Sequence, residues 1–542
     1  MSKLKQEVER RRTFAIISHP DAGKTTITEK FLLYGGAIHE AGSVRARKAS
    51  RHATSDWMEI EKQRGISVTS SVMQFEYDGF HVNILDTPGH QDFSEDTYRT
   101  LTAADSAVML IDGARGVEPQ TIKLFEVCRM RGIPIFTFVN KMDRASRDPF
   151  DLMDELEKVL GISATPFNWP IGTYGDFKGV YNRRTKEVEL FDSSKDDHGA
   201  SRVKVEVASI DDPQLSEILG ESYHQELMED IELLDIAGDS FDQELVDKGE
   251  LTPMFFGSAI SNFGVETFLE YFLDMSPAPS ARKSDQGPIS ATDEDFRGFI
   301  FKIQANMNPG HRDRLAFLRI NSGKYEKDMD VVNVSTGKAI KLAQPQQFLA
   351  QDHKTVDEAF AGDIIGIYDP GIYRIGDTLC EKGAEVTFEA IPSFPPEHFA
   401  RVSPMNSMKR KQFKKGMDQL AQEGTIQMYK EPSIGTETYV VGVVGTLQFD
   451  VLKERLKNEY SVEIDMVPLN YRFARWVGLP ANADSHYLED IDMTSTTLLV
   501  EDHLDNPVLL FESPWAINWV LEKNEGIALE TINAGQSLTV QD

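Results

Sequence analysis

The first half of the chain alternates short, mainly apolar runs with longer stretches that repeat apolar residues at helical spacing. Runs of the first kind are typical of strands buried on both faces, and stretches of the second kind are typical of amphipathic helices. The apolar runs lie at residues 14–17, 82–85, 107–111 and 135–139. Strands that alternate with helices predict a mainly parallel sheet wrapped by helices, which is an α/β domain.

The middle of the chain has a different pattern and is flanked by two linkers. The first linker, SPAPSARKSDQGP, is rich in Pro, Ser and Gly, and the second is PSFPPEH. Between them, short β-patterned runs are punctuated by the turn sequences NPG, SG, TG and PG. Short strands joined by such turns predict an antiparallel β-barrel.

The last part of the chain mixes helical and strand patterns. Strand-like runs at 437–444 and 462–466 follow two apolar series at helical spacing, which suggests a βαββαβ-like order. The two series are Phe413, Met417, Leu420, Ala421 and Leu447, Val451, Leu452, Leu456. The tail from Trp476 mixes strands with a short helix near 514–521 and is not placed further. The pattern therefore predicts a multidomain α/β plus β-barrel plus α+β protein with domains at 1–280, 294–392 and 393–542.

Composition narrows the class of protein. The 542 residues are 40% hydrophobic and 27% charged, which suits several packed domains. The opening MSKLKQEVERRR lacks the apolar run of a signal peptide, and no later run is long enough to span a bilayer, so we expect a cytoplasmic location and no membrane partner. The two cysteines, Cys128 and Cys380, support neither a disulfide framework nor a zinc site.

The net charge of −30 argues against a general nucleic-acid binder, because the molecule as a whole repels phosphate. Two segments are nevertheless basic, and each could equally be an ordinary solvated face. They contain Arg45, Arg47, Lys48, Arg51 in the first and Lys409, Arg410, Lys411, Lys414, Lys415 in the second.

The sequence SHPDAGKTT follows the first apolar run and matches the end of a phosphate-binding loop. Backbone N–H groups at a helix N-terminus can hold phosphates, Lys24 can neutralise the β and γ oxygens, and Thr25 can ligate Mg²⁺. Ser18 stands where the strict motif has Gly, so this segment alone could also be a glycine-containing turn. The predicted nucleotide-binding residues here are Ser18, His19, Pro20, Asp21, Ala22, Gly23, Lys24, Thr25 and Thr26.

The sequence DTPGH ends the second apolar run and supplies a second phosphate element. Asp86 sits where a carboxylate that reaches Mg²⁺ through water is needed, and the Gly89 amide can approach the γ-phosphate. His90 is the predicted catalytic residue, which orients the attacking water. Thr87 and Pro88 complete the motif.

Two later motifs read the base. Asp143, in NKMD, can accept hydrogen bonds from the guanine N1–H and exocyclic amine, a donor pair that adenine lacks. Asn140 can tie this loop to the phosphate loop, and the stem of Lys141 can cover the purine. The sequence GSA follows another apolar run, and the Ala259 amide can donate to the guanine oxygen. The predicted base-site residues are Asn140, Lys141, Met142, Asp143, Gly257, Ser258 and Ala259.

A long polar segment at 35–65 closes with RGISVTS, between the phosphate loop and DTPGH. A polar stretch of this length suits a switch that orders around the γ-phosphate and Mg²⁺. Ser67 is the expected Mg²⁺ ligand, although Thr69 and Ser70 are close enough to compete. The cofactors predicted from these motifs are GTP or GDP and Mg²⁺.

Together, SHPDAGKTT, RGIS, DTPGH, NKMD and GSA resemble the GTPase domain of translational GTPases. Segments such as RGFIFKI, LAFLRINSGKY, AGDIIGI and GDTL are similar to the β-barrel that these factors share. The resemblance implies a P-loop GTPase domain, a translation-factor barrel and a ferredoxin-like α+β domain. In that family, ribosomal RNA of the large subunit sets the histidine in place.

Two features narrow the resemblance to the bacterial class II peptide-chain release factors. About 113 residues lie between Asp143 and Gly257, which implies an inserted acidic subdomain at roughly 172–249. Elongation factor G carries such an insert too, but it continues through two further domains, whereas only about 65 residues remain here. The segment FARVSPMNSMKRKQFKKGMDQLAQEG also fits the release factors.

The resemblance implies a ribosome-dependent GTPase that dissociates and recycles class I release factors after peptide release. Its implied partners are the ribosome and ribosome-bound class I factors, with ppGpp as a candidate ligand and a monomer as the expected state. A translocase-like or ribosome-rescue GTPase, a nucleotide-dependent module outside translation, and a structural protein with an inactive nucleotide fold stay open as alternatives.

Overall fold

A computed structural model describes most of the chain. The described residues are 2–37, 70–88, 91–172, 176–190, 206–210, 212–238, 240–305, 314–342, 345–349, 352–389, 391, 395–432, 438–478, 487–488, 490–503, 505–524 and 526–530. Among these residues, no helix is both long enough and apolar enough to span a membrane.

The first domain is built on a seven-stranded sheet in the order β2-β3-β1-β4-β5-β11-β6. Its strands are β1 (Arg11–Ser18), β2 (Ser71–Tyr77), β3 (Phe80–Asp86), β4 (Ser106–Asp112), β5 (Ile135–Asn140), β6 (Ser163–Pro166) and β11 (Leu251–Phe256). All neighbours run parallel except β2 and β3, which pair antiparallel. The predicted α/β sheet is confirmed.

Helices cover both faces of this sheet, as the buried strands require. They are α2 (Lys24–Tyr34), α3 (Ser94–Leu101), α4 (Pro119–Met130), α5 (Pro149–Leu160) and α9 (Val265–Met275). One face is packed largely by aromatic rings: the Phe14 ring meets Phe272 edge-on at 4.5 Å between centroids, and Phe138 lies 5.2 Å from Phe268. This core fixes α2 and α9 against the sheet, so the ends of the central strands are held rigidly.

The segment between β6 and β11 forms a separate small sheet. Its order is β10-β9-β8-β7, all antiparallel, with β7 (Asn168–Ile171), β8 (Gly179–Asn182), β9 (Glu187–Leu190) and β10 (Glu206–Ser209). Helices α6 (Pro213–Leu219), α7 (Glu221–Ala237) and α8 (Gln243–Asp247) follow. Trp169 anchors it: the indole is fully buried, and its Nε1 donates to Asp230 Oδ2 at 2.9 Å.

The second domain is an antiparallel β structure, as the sequence predicts. Its main sheet has the order β18-β17-β23-β14-β15-β22-β19-β20, and a hairpin, β12 with β13, precedes it while β16 pairs with β21. The strands are β12 (Arg282–Ser284), β13 (Gly287–Ile289), β14 (Arg297–Ala305), β15 (Arg314–Ser322), β16 (Lys324–Glu326), β17 (Asp330–Asn333), β18 (Lys338–Lys341), β19 (Gln346–Leu349), β20 (Asp352–Thr355), β21 (Glu358–Phe360), β22 (Ile364–Tyr368) and β23 (Thr378–Glu381). Helix α1 (Lys3–Glu9) lays Val8 into the core of this domain.

Buried ion pairs join the first two domains. Arg319 of β15 reaches Asp105 at 2.5 Å, and Arg11 of β1 reaches Asp363 at 2.9 Å. All four side chains are at most about one-twentieth exposed. Separating the domains would leave these charges without partners in a poorly solvated place, so the pairs favour one fixed arrangement.

The third domain begins with the βαββαβ order that the sequence predicts. Strands β24 (His398–Pro404), β25 (Gln427–Tyr429), β26 (Tyr439–Val443) and β27 (Ile464–Leu469) form a sheet in the order β25-β26-β24-β27, with helices α10 (Arg410–Gln422) and α11 (Leu447–Tyr460). This strand order is that of a ferredoxin-like fold. The predicted fold class is confirmed in all three parts, while the exact domain boundaries stay predictions.

The tail that the sequence did not place forms a second antiparallel sheet. Its order is β29-β30-β28-β31, with β28 (Phe473–Gly478), β29 (Leu498–Glu501), β30 (Pro507–Phe511) and β31 (Ala528–Glu530), and helix α12 (Pro514–Lys523) packs beside it. Trp476 is buried, and its Nε1 donates to Asp502 Oδ2 at 3.1 Å.

Candidate guanine nucleotide site

The phosphate-loop residues lie between β1 and α2, at the carboxyl edge of the sheet. Gly23 precedes the helix with φ of 104°, a conformation that side chains other than glycine adopt with strain. A Cβ on Gly23 would also overlap the Asn140 side chain. The loop can therefore pass close to the base-reading segment only with glycine here, and the backbone N–H groups of the first turn of α2 can receive an anion.

Ser18, which departs from the strict motif, is accommodated inside the structure. It is the last residue of β1 and is almost fully buried, and its Oγ donates to the carbonyl of His19 at 2.9 Å. The hydroxyl is thus satisfied locally and the loop keeps its course.

The two phosphate elements meet through a buried ion pair. Lys24 Nζ lies 2.6 Å from Asp86 Oδ1, and the two residues are 6% and 2% exposed. Asp86 ends β3, which lies beside β1, so the parallel sheet itself brings the pair together. Thr87 Oγ1 donates to the carbonyl of Ile16 at 2.7 Å and holds the start of the DTPGH loop against β1.

The residues predicted to read the base are fixed by hydrogen bonds within the first domain. Asn140 Nδ2 donates to the carbonyl of Ala22 at 2.8 Å, which ties this loop to the phosphate loop as the sequence suggested. Asp143 Oδ1 accepts from Ser258 Oγ at 2.6 Å, and the Met142 amide donates to the carbonyl of Gly257 at 3.1 Å. Base loop and GSA loop are therefore one hydrogen-bonded unit.

The Ala259 amide, which the sequence predicts to donate to guanine, has an acceptor inside the protein. The Ala259 amide donates to Asn140 Oδ1 at 2.8 Å, so its predicted bond to the guanine oxygen stays a prediction. Gly257 is required for packing: a Cβ there would lie 2.6 Å from the carbonyl oxygen of Phe263 and 2.8 Å from the ring of Phe138.

Asp112 is a site residue that the sequence analysis missed. It ends β4, and Lys141 Nζ lies 2.7 Å from its Oδ2 and 2.5 Å from the carbonyl oxygen of Asp21. Burial works to raise the pKa of Asp112, but the hydrogen bond from Lys141 and the Ala114 amide hold that pKa below its ordinary value. The sequence held a signal for it, since Asp112 ends an apolar run just as Asp86 does.

Helix α3 follows the DTPGH motif and is held by the second domain. Lys302 of β14, which is 5% exposed, donates to Ser70 Oγ at 2.8 Å and lies 3.6 Å from Asp96 Oδ2. The Ser70 amide donates to the same carboxylate oxygen at 2.8 Å, and Thr100 Oγ1 donates to Ser70 Oγ at 2.9 Å. Burial opposes ionisation of Asp96, but the charge of Lys302 and the Ser70 hydrogen bonds lower the pKa of this carboxyl.

The third domain contacts the same region. Asp92 Oδ2, one turn before α3, accepts from the Leu447 amide at 2.8 Å. Arg99 on α3 donates to the carbonyl of Gly424 at 3.2 Å and also pairs with Glu95. The helix after the DTPGH motif is thus bonded to both other domains.

The residues fit Mg²⁺ shared with a nucleotide better than a metal held by protein alone. In the described part of the chain, no group of three or more His, Cys, Asp or Glu side chains could hold a metal ion. Thr25, in the first turn of α2, and Asp86 supply the oxygen ligands that Mg²⁺ prefers. The other predicted residues at this edge, Ser67, Gly89 and His90, lie outside the described residues.

Comparisons with known proteins cover nearly the whole chain. Residues 9–278 match the elongation factor Tu GTP binding domain, 295–382 match elongation factor G domain 2, and 388–521 match the C-terminal domain of class II release factor RF3.

Curated relatives named peptide chain release factor 3 match end to end. The protein from Symbiobacterium thermophilum is 58% identical over 97% of this chain and 98% of its own length. The one from Listeria monocytogenes is 53% identical over 98% of this chain and 99% of its own length. A solved structure from Thermus thermophilus has a TM-score of 0.68 at 21% identity, over 91% of this chain and 72% of that one, which supports the fold.

Proposed function

Since the chain belongs to the peptide chain release factor 3 family, a class II release factor GTPase of translation termination, we propose that it uses GTP to remove class I release factors from the ribosome after peptide release. The observation that carries the proposal is the attachment of α3 to both other domains, through the ion pair of Asp96 with Lys302 and the hydrogen bond from Arg99 to Gly424. A change at the γ-phosphate that moves α3 would alter the contacts that α3 makes with the barrel and with the third domain.

Two parts of the site would bind the nucleotide, the NKMD and GSA loops on the base and the phosphate loop on the phosphates. Asp143 accepts from guanine, with Ser258 holding its carboxylate, and Asn140 keeps the base loop on the phosphate loop. The α2 N-terminus and Lys24 receive the phosphates, with Lys24 exchanging Asp86 for phosphate oxygens. Asp86 would then be free to accept from a water of Mg²⁺.

Mg²⁺ would be held by Thr25, Ser67 and the phosphates, with Asp86 acting through water, and would neutralise charge on the β and γ oxygens. His90 orients the water that attacks the γ-phosphorus, and the bond to the GDP oxygen breaks as phosphate leaves. From the family resemblance, we expect ribosomal RNA to set His90 in place. Because positioning supplies most of the rate in this chemistry, hydrolysis would be slow until the ribosome fixes that side chain.

We further propose that the protein acts as a monomer in the cytoplasm, and that ppGpp competes with GDP. The guanine and 5′-diphosphate of ppGpp present the same groups to Asp143, Lys24 and the α2 N-terminus as GDP does. Competition between ppGpp and labelled GDP at equilibrium would test this point.

The test of function follows a labelled class I release factor on ribosomes stopped after peptide release. We expect the chain with GTP to accelerate departure of the label, and the chain with GDP to do so less. An unchanged dissociation rate would contradict the proposal. Equal acceleration of a deacylated tRNA on ribosomes that lack any class I factor would instead favour a translocase-like or rescue GTPase.

A further inference from the structure

Helix α10 of the third domain carries two opposite faces. Its apolar side chains Phe413, Met417 and Leu420 are buried in the domain core. Lys411, Lys414 and Lys415 are exposed, and their spacing of three and four residues places them on one side of the helix. The helix therefore presents a stripe of three lysines, which we call the lysine face, away from the core.

The lysine face contrasts with the rest of the molecule. The chain has 87 acidic and 57 basic residues, yet the segment 405–415 holds five basic residues and no acidic one. In the described part of the chain, the ammonium groups of the lysine face form no ion pair within 4.0 Å. Asp418, one turn further along, interacts with Lys414 through its charge alone. These charges are therefore left available to a partner.

Exposed methionines lie beside this face. Met405 is 68% exposed and Met408 is 88% exposed, in the turn that leads into α10. Exposed apolar groups that lie together and are bordered by polar residues are typical of interaction surfaces. Flexible methionines beside point charges suit a partner with both anionic and apolar surface, such as the phosphates and sugars of RNA.

The far end of α10 reaches the nucleotide-sensing region. Gln422, its last residue, accepts from Arg314 of the barrel at 2.5 Å, and Gly424 just beyond accepts from Arg99 of α3. A 13-residue helix is about 20 Å long. The lysine face thus lies at one end of the helix, and the residue just beyond its other end is bonded to α3.

We propose that Lys411, Lys414 and Lys415 bind the phosphate backbone of ribosomal RNA and so anchor the third domain on the ribosome. The inference rests on the proposed function for the presence of the ribosome, and on the charge and exposure of this face for the place of contact. If this end of α10 is anchored on the ribosome, a movement of α3 acts on a third domain that is held in place.

The test compares ribosome binding by the full chain and by a variant with Lys411→Ala, Lys414→Ala and Lys415→Ala over a range of salt concentrations. Each lost phosphate contact should reduce the slope of log K against log salt by roughly 0.7–0.9, so the three substitutions should reduce it by about 2–3. A matched control carries Lys123→Ala, Lys158→Ala and Lys248→Ala, three exposed lysines of the first domain with the same change of net charge.

The proposal predicts a reduced slope in the α10 variant and a wild-type slope in the control. An unchanged slope in the α10 variant, or an equal fall in both variants, would overturn it. GDP affinity of each variant reports that the first domain is folded. Failure of the wild-type chain to bind ribosomes would instead overturn the proposed function, and with it this inference.

A second measurement separates RNA from protein as the partner. Both natural cysteines, Cys128 and Cys380, are buried, so Lys414→Cys supplies an exposed thiol for a photo-crosslinker. Crosslinks to ribosomal RNA support the proposal, and crosslinks confined to ribosomal proteins would contradict it.

Discussion

Two parts of the nucleotide site are stabilised in different ways. We call the loops that hold Asn140, Asp143 and Ser258 the base edge, and Ser70 together with α3 the switch edge. At the base edge, Asn140, Asp143 and Ser258 bond to one another's loops within the first domain. At the switch edge, Lys302 of the barrel donates to Ser70 and pairs with Asp96 of α3, and Arg99 of α3 donates to Gly424 of the third domain. If the base edge holds guanine as proposed, other domains, and whatever binds them, can act on the γ-phosphate side while guanine recognition stays constant.

The substitution His90→Ala should give the largest difference between an effect on GTP turnover and an effect on nucleotide affinity. Misplacing an attacking water costs on the order of 10²-fold in rate, so ribosome-stimulated turnover should fall by at least about that factor. GTP and GDP affinities should remain those of the wild type, because the base edge is untouched. Equilibrium binding and multiple-turnover hydrolysis check this, and normal turnover would assign the role to another residue.

Asp143→Asn instead removes the carboxylate that we propose accepts hydrogen bonds from guanine. Loss of a buried pairing to guanine should weaken GTP and GDP binding by about 1–3 kcal/mol, or roughly 5- to 150-fold. Xanthine nucleotides should gain, because the amide reverses one donor and acceptor relation. Competition between GDP and XDP measures the change, and undiminished guanine affinity would refute the role of Asp143.

Lys302→Met removes the contacts of the barrel with Ser70 and with Asp96 of α3. The change removes the ammonium beside the partly buried Asp96 and leaves Ser70 without this donor, so we expect ribosome-stimulated turnover to fall by about 10-fold, or ~1.4 kcal/mol. GDP affinity should stay within about 2-fold. Lys302→Arg keeps the charge and should recover part of the turnover.

Equal losses of GDP affinity and turnover in Lys302→Met would contradict the separation of the edges. A thermal melt of each variant shows whether the domain interface has loosened, since an unpaired buried carboxylate also destabilises the fold.

Ser258→Ala should have the smallest effect. Its hydroxyl donates to Asp143, and a single hydrogen bond of this kind contributes about 0.5–1.5 kcal/mol, so affinity should fall by roughly 2- to 13-fold. The loss should be the same for GDP and GTP, because the γ-phosphate is not involved. Isothermal titration with both nucleotides checks this, and a loss confined to GTP would show that the two edges are coupled.

Much of the site follows from local sequence because parallel strands bring their ends to one edge. Ser18, Asp86 and Asn140 each end a strand, and β1, β3 and β5 place them at the same edge of the sheet. The contact of Lys302 with Ser70 joins positions 232 residues apart and leaves no periodic pattern in either segment. The sheet of the tail was missed for a related reason, since β28 pairs with the distant short strands β30 and β31.

The ribosome dependence of GTP turnover tests the account most directly. The purified chain is assayed alone and with ribosomes stopped at a termination codon, and GDP affinity is measured on the isolated protein. The account predicts tight guanine binding without ribosomes and a rate that rises by on the order of 10²-fold or more when they are added. Equal hydrolysis with and without ribosomes would contradict it.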